Sequence, residues 1–193
     1  MIATALHSPE HPEHGGAASA PEWKEKLRDG TTVLIRPIAG TDVDLERRFI
    51  ERLSPQSRRY RFLGEMTTPD RALLDKFTHP DPAHEAAFIA LVADGAEKRE
   101  VGVARFSADP SEVQCECAVA VADDWQGKGL ATILMRHLIE IARQRGYARM
   151  YSIDARENEN MCALAEFLGF ERVPDPQDGS QVLHSLNLKA AGA

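Results

Sequence analysis

No stretch of the 193-residue sequence approaches the ~20 consecutive apolar residues that span a bilayer, so no membrane crossing is expected. Basic residues are in deficit: 23 Lys and Arg stand against 30 Asp and Glu, a formal charge of −7. General nucleic-acid binding needs basic surface to displace counterions and is therefore excluded, whereas a cationic partner suits this balance. Cysteine is scarce. Cys115, Cys117 and Cys162 make an odd number with no disulfide-framework spacing, which reads as reduced thiols. Cys115 and Cys117 would share one strand face, but no second ligand pair follows at a recognisable spacing. No metal site is expected, and the thiols read as small buried hydrophobes. The first residues also lack the basic and apolar segments of a secretory signal, which places the chain in the cytoplasm. Monomer and homodimer both remain open.

What is present is one α/β domain. Residues 1–22 hold few large apolar side chains and read as a disordered leader, with the folded domain spanning 23–190. Residues 31–38 form a strand that should stop at Pro37. A first helix runs from Asp42 to Leu53 with Thr41 as its cap; a short second helix follows at 54–64, and a third at 68–79 with Pro69 near its start. Residues 85–95 and 100–109 make a hairpin across a charged turn, and 112–123 a further strand. The main helix spans 128–145, with Leu130, Ile133, Leu134, Leu138 and Ile141 at helical spacing and Gly146 where a terminating glycine belongs. A strand at 148–154, a helix from Asn158 to Leu168 and a closing strand at 180–188 complete a sheet of about seven strands with flanking helices.

The most informative stretch is Asp123-Asp124-Trp125-Gln126-Gly127-Lys128-Gly129-Leu130-Ala131, where a strand feeds the main helix. A helix start leaves about four N–H groups without intrahelical partners and carries positive dipole character. Gly127 and Gly129 have no Cβ, and Ala131 is small, so an anion can approach the backbone there. A tight corner without ligand is the competing reading. A P-loop is excluded because Gly129, not Ser or Thr, follows Lys128. A dinucleotide fingerprint finds Thr132 in place of its third glycine, though Asp154 ends the next strand near the expected spacing; it is the runner-up.

Gln126-Gly127-Lys128-Gly129-Leu130-Ala131 matches Q/R-x-x-G-x-G/A and resembles the acetyl-CoA diphosphate loop of the GNAT superfamily of N-acetyltransferases. Asn158 to Phe170, closing in Leu168-Gly169-Phe170, is similar to the family's asparagine-led helix, and Glu116 to Val121 to its central strand. Together they cover roughly residues 31–189. Val33 to Ile38, Ser57 to Phe62, Ala87 to Ala90 and Glu116 to Leu130 further resemble the catalytic domain of bacterial Pat-type protein lysine acetyltransferases. In those enzymes the domain is often fused to a synthetase-like or cyclic-nucleotide-binding region, and this sequence has room for neither.

The resemblance implies a mixed, mostly antiparallel sheet with a splayed acetyl-CoA cleft, and acyl transfer to a primary amine, with a protein lysine favoured. A small-molecule amine acceptor and a non-catalytic acyl-CoA-binding module are the alternatives. It implies further that main-chain groups of Val119 and Val121 pair with the pantetheine arm and that the amides of Gly127, Gly129, Leu130 and Ala131 hold the diphosphate. Lys128 would supply extra charge, and Asn158 would contact the cofactor or cap its helix. An amine with pKa ~10.4 is neutral in only about one molecule in two thousand near pH 7, a cost of about 4–5 kcal/mol that a placed base helps to meet. Glu116, at the family's catalytic glutamate, is the candidate; burial on its apolar strand would raise its pKa. An edge glutamate in water, or a partner for Arg105, is the plainer reading. Ala165 stands where many relatives carry a tyrosine acid; Cys162 and Tyr151 are better read as core than as substitutes. Arg58 to Arg61 read as a solvated helix face, and His79, Asp81, His84 and Glu85 as either an amine site or a polar loop.

Overall fold

Val33 and Ile35 bury completely on one side of their strand while Leu34 and Arg36 turn to the other, and that alternation organises the whole sheet. The computed structural model describes residues 21–64, 68–109 and 113–189, so all but Pro21 and Glu22 of the leader lie outside it. Eight strands, against six located in the sequence and about seven expected, lie in the order β1-β2-β3-β4-β5-β6-β8-β7. They are β1 (Trp23–Lys26), β2 (Thr32–Pro37), β3 (Glu85–Asp94), β4 (Glu97–Ser107), β5 (Gln114–Val121), β6 (Arg149–Ala155), β7 (Glu171–Pro174) and β8 (Gln181–Asn187). The sequence reading missed β1 and β7, which are four-residue edge strands too short for a periodic signal. Every pairing is antiparallel except β5 with β6, the pair joined by a helical crossover. One parallel pair is not a dinucleotide-binding sheet, and the runner-up reading falls.

The crossover is α4 (Leu130–Gln144), whose Leu130, Leu134, Met135, Leu138, Ile139 and Ala142 are buried. It packs on β3, β4 and β5. Gly102 on β4 lets it approach closely: a Cβ there would stand 3.1 Å from Leu134 Cδ1 and 3.2 Å from Leu130 Cδ2. Helix α5 (Glu159–Phe167) adds Ala165 and Leu164 to the same core. The opposite face is covered by α1 (Val43–Arg52) and α3 (Arg71–Thr78), which bring Phe49, Ile50 and Leu74 onto Ile89, Leu91 and Val103. The first helix starts one residue later than expected. Asp42, not Thr41, precedes it, and its side chain does not cap but takes two hydrogen bonds from Arg36 at 2.7 and 2.8 Å. Helix α2 (Pro55–Phe62) buries no residue and is capped by Ser54, which accepts from Ser57 N at 3.1 Å.

A bulge in β4 creates an unexpected polar centre. Ala90 pairs with Gly102 and Leu91 with Glu100, leaving Val101 out of register. Val101 joins the α4 core, and Glu100, 2% exposed, lies beside the equally buried Glu46 of α1. Arg105 donates to Glu46 Oε1 at 3.3 Å and stacks on Phe77, 4.1 Å from the ring centre. Burial, then the adjacent Glu46 carboxyl, holds Glu100 well above the usual carboxylate range.

Candidate active site

Strands β5 and β6 pair over only three residues, Gln114, Cys115 and Glu116 against Arg149, Met150 and Tyr151. Beyond Glu116 the two strands part, so Cys117 to Val121 keep β4 on one side and have no β6 partner on the other. A cavity of about 710 Å³ occupies this region. Its walls include Val119, Val121, Gln126, Gly127, Gly129, Leu130, Ala131 and Asn158, eight of the ten positions singled out from sequence. Lys128 and Glu116 are not among them.

Gly127 and Gly129 have φ of 74° and 88°, values that L side chains resist, and Gly129 caps α4. The turn therefore needs glycine for its backbone, and Gly129, Leu130, Ala131 and Thr132 at the start of α4 line the cavity. Gln126 turns from the loop toward β5 and α2, with Nε2 at 3.4 Å from both Val121 O and Ser57 Oγ. Lys128 is already engaged, its Nζ 3.2 Å from Asp29 Oδ2 and 4.4 Å from the centre of the Trp125 ring. Asn158 caps α5, accepting from Met161 N at 3.2 Å, while also lining the cavity.

Glu116 occupies the last paired position of β5, opposite Tyr151 on β6 and Ser107 on β4. It is exposed, so the burial expected of it is absent: alternation turns Cys115 and Cys117, not Glu116, into the α4 core. Nor is it bound to Arg105, which faces Glu46. Its charge is felt by Arg61, which lines the cavity. Partial burial first, then repulsion from Arg105, pulls Arg61 down to about 10, so it remains a cation at neutral pH. The reading of Arg58 to Arg61 as a solvated helix face thus fails at Tyr60 and Arg61, both of which line the cavity. Arg59 is solvated and meets Glu157 at 3.0 Å. His79, Asp81 and Glu85 form a polar loop, with His79 Nδ1 2.9 Å from Asp75 O and Glu85 accepting from Asp81 N at 2.9 Å. No group of three potential metal ligands occurs among the described residues.

Two carboxylates that line the cavity have partners that the sequence reading did not foresee. Asp154, which lines the cavity, accepts from Ser152 Oγ at 2.6 Å and lies 2.9 Å from Nδ1 of the buried His184. Asp123 ties α2 to the glycine turn, accepting from Ser54 N at 2.9 Å, Ser54 Oγ at 2.8 Å and Ser57 Oγ at 2.7 Å. Partial burial raises the Asp123 carboxyl, but these bonds outweigh it and hold the group below the usual range. Because its folded pKa is lowered, the link persists above the ordinary aspartate range and fails as pH falls through the lowered value. Asp123→Ala should free the α2 wall and reduce kcat/KM by roughly 10- to 100-fold at neutral pH, since small misplacements carry that cost. Steady-state kinetics check this, and an unchanged kcat/KM would refute it.

The model of the acetyltransferase (GNAT) family matches residues 50–170. The sequence is 49% identical over 172 residues to Acetyltransferase PA5475 of Pseudomonas aeruginosa, covering 89% of this chain and 92% of that protein. It is 28% identical to Acetyltransferase Pat of Mycolicibacterium smegmatis over 75% of this chain, which spans 43% of that longer protein. Among solved structures, the GNAT domain of S. lividans PAT superposes with a TM-score of 0.77 at 25% identity, covering 86% of this chain and 96% of that domain.

Proposed function

The chain belongs to the GNAT acetyltransferase family and is an acetyl-CoA-dependent acetyltransferase, and from that premise we propose that its acceptor is a protein lysine and its catalytic base Glu116. The observation that carries the reading is the separation of β5 from β6 just after Glu116, beside a cavity that ends at the glycine turn. A pantetheine arm would take the place of the missing β6 pairing along Val119 and Val121, as an added strand does. The diphosphate would sit on the amides of Gly127, Gly129, Leu130 and Ala131, bringing the thioester toward Glu116.

In this scheme the Glu116 carboxylate accepts the ammonium proton, directly or through water, as the amine nitrogen attacks the thioester carbonyl. The tetrahedral intermediate then collapses: its C–S bond breaks, the departing cofactor thiolate takes up the second nitrogen proton, directly or through water, and an amide remains. A thiolate of pKa near ~8.5 leaves without strong assistance, which fits Ala165 at the position of the usual tyrosine. Asp154, Glu157 and Glu159 in the cavity wall favour a cationic acceptor, and the likeness to Pat proteins favours a lysine. A small-molecule amine is the second reading, supported by a neighbouring pocket of about 480 Å³ lined in part by Glu157, Asp178 and Ser180. Incubating the enzyme and its Glu116→Gln variant with labelled acetyl-CoA and a cell extract separates the two. Protein lysines labelled by the wild type alone are the expected result; label confined to metabolites would overturn the lysine assignment.

A further inference from the structure

The glycine turn is not a free-standing loop. The segment joining β1 to β2 packs on it: Arg28 N donates to Lys128 O at 3.2 Å, and the Arg28 side chain crosses Gly129 so closely that a Cβ there would lie 3.3 Å from Nε. This segment is itself held firmly. Leu27 is buried in the core and donates to Thr31 O at 2.8 Å, while Thr31 N donates to Asp29 Oδ1 at 2.9 Å. Upstream, Trp23 stacks on His137 of α4 at 4.1 Å, and Glu25 meets His137 Nε2 at 2.8 Å.

Charge at the turn is distributed unexpectedly. Lys128, the cation the sequence offers to a phosphate, is committed to Asp29 and Trp125. Asp124 is occupied by Arg99 at 2.9 Å. Arg28 has no carboxylate partner among the described residues, and it lines the cavity next to Gly127, Gly129 and Ala131. Of the cavity's cationic side chains, Arg28 and Arg61, Arg28 is the one at the glycine turn.

We propose that Arg28 is a cofactor-binding residue, its guanidinium taking a phosphate group of coenzyme A over Gly129 while Asp29 holds Lys128 aside. This deepens, and rests on, the reading of the cavity as the cofactor cleft. A planar, permanently charged fork suits phosphate oxygens better than a lysine does. The N-terminal strand thereby becomes part of the cofactor site: β1 latches onto α4 and sets the height of Arg28 above the turn. The phosphate engaged is either the diphosphate or the 3′-phosphate, which share this chemistry.

Calorimetry of wild type, Arg28→Ala and Arg28→Lys against CoA, 3′-dephospho-CoA and pantetheine tests the proposal. Arg28→Ala should bind CoA about tenfold more weakly, one charge-assisted contact, with Arg28→Lys in between and the gap narrowing in high salt. Pantetheine, which has no phosphate, should bind both proteins alike. A penalty that persists with 3′-dephospho-CoA assigns Arg28 to the diphosphate, and one that disappears assigns it to the 3′-phosphate. Equal CoA affinities of wild type and Arg28→Ala would overturn the proposal, as would an equal penalty for pantetheine. If the wild type itself fails to bind CoA, the reading of the cleft falls too; binding by the wild type with no effect of Arg28→Ala overturns this inference alone.

Discussion

Replacing Glu116 by Gln should lower turnover by about 10²- to 10³-fold, the usual contribution of a positioned base, while CoA affinity stays within about twofold. Glu116 is exposed and its side chain is outside the cavity wall, so the substitution disturbs neither core packing nor the glycine turn. The pH profile separates a base from a merely structural residue. In the variant the residual rate should climb about tenfold per pH unit toward the amine's own pKa near 10.4, because only spontaneously neutral amine can react. Direct stopped-flow or coupled assays between pH 6 and 10 read this. A variant with wild-type turnover would remove Glu116 from the mechanism, and the search for a base would move to Asp154, the cavity-lining carboxylate backed by His184.

The largest effect on stability is expected at Arg105. It is the cation facing Glu46, whose Oε2 is buried without a hydrogen-bond partner, and its charge opposes the strong upward shift of the Glu100 carboxyl. Arg105→Ala leaves these carboxyls uncompensated beneath α1 and strips a guanidinium from Phe77, so the fold should lose about 3–5 kcal/mol at neutral pH. Acid neutralises the raised Glu100 carboxyl, and the deficit should shrink as pH falls toward 5. Glu100 has a sign of its own. Its folded pKa is raised above the ordinary value of 4.5, so its contribution is fully present below that value and is lost as pH rises through the folded one. Glu100→Gln should therefore flatten the decline of stability toward alkaline pH and melt higher than wild type at pH 8. Urea unfolding of the three proteins at pH 5 and 8 measures both effects. A loss below about 1 kcal/mol for Arg105→Ala would mean that water reaches these carboxyls.

The long elements were legible because each signal is local. Five apolar positions at helical spacing marked α4, and apolar runs on either side of a charged turn marked β3 and β4. The glycine turn was legible too, since a backbone that needs φ of 74° and 88° demands residues without Cβ, and those stand two positions apart in the chain. Glu116 was found through its strand and its likeness to a family position, but its exposure was misjudged: an apolar strand can still present every second residue to water. Arg58 to Arg61 were taken together as a solvated face because nothing local separates them, although Arg59 is exposed while Tyr60 and Arg61 both line the cavity.

Sequence by itself determined the α/β class, the place of the glycine turn, the residues that shape it and the family, because glycine geometry and hydrophobic period act over a few residues. Tertiary structure alone decided which charges meet. Lys128 turned to Asp29, Arg28 arrived at Gly129 from a segment a hundred residues earlier, Asp123 reached across to Ser54, and one extra residue in β4 placed Val101 on the α4 face and Glu100 on the α1 face beside Glu46. Charged side chains are long and their partners distant in the chain, so their pairing is set by register, bulges and strand order, none of which a local pattern encodes.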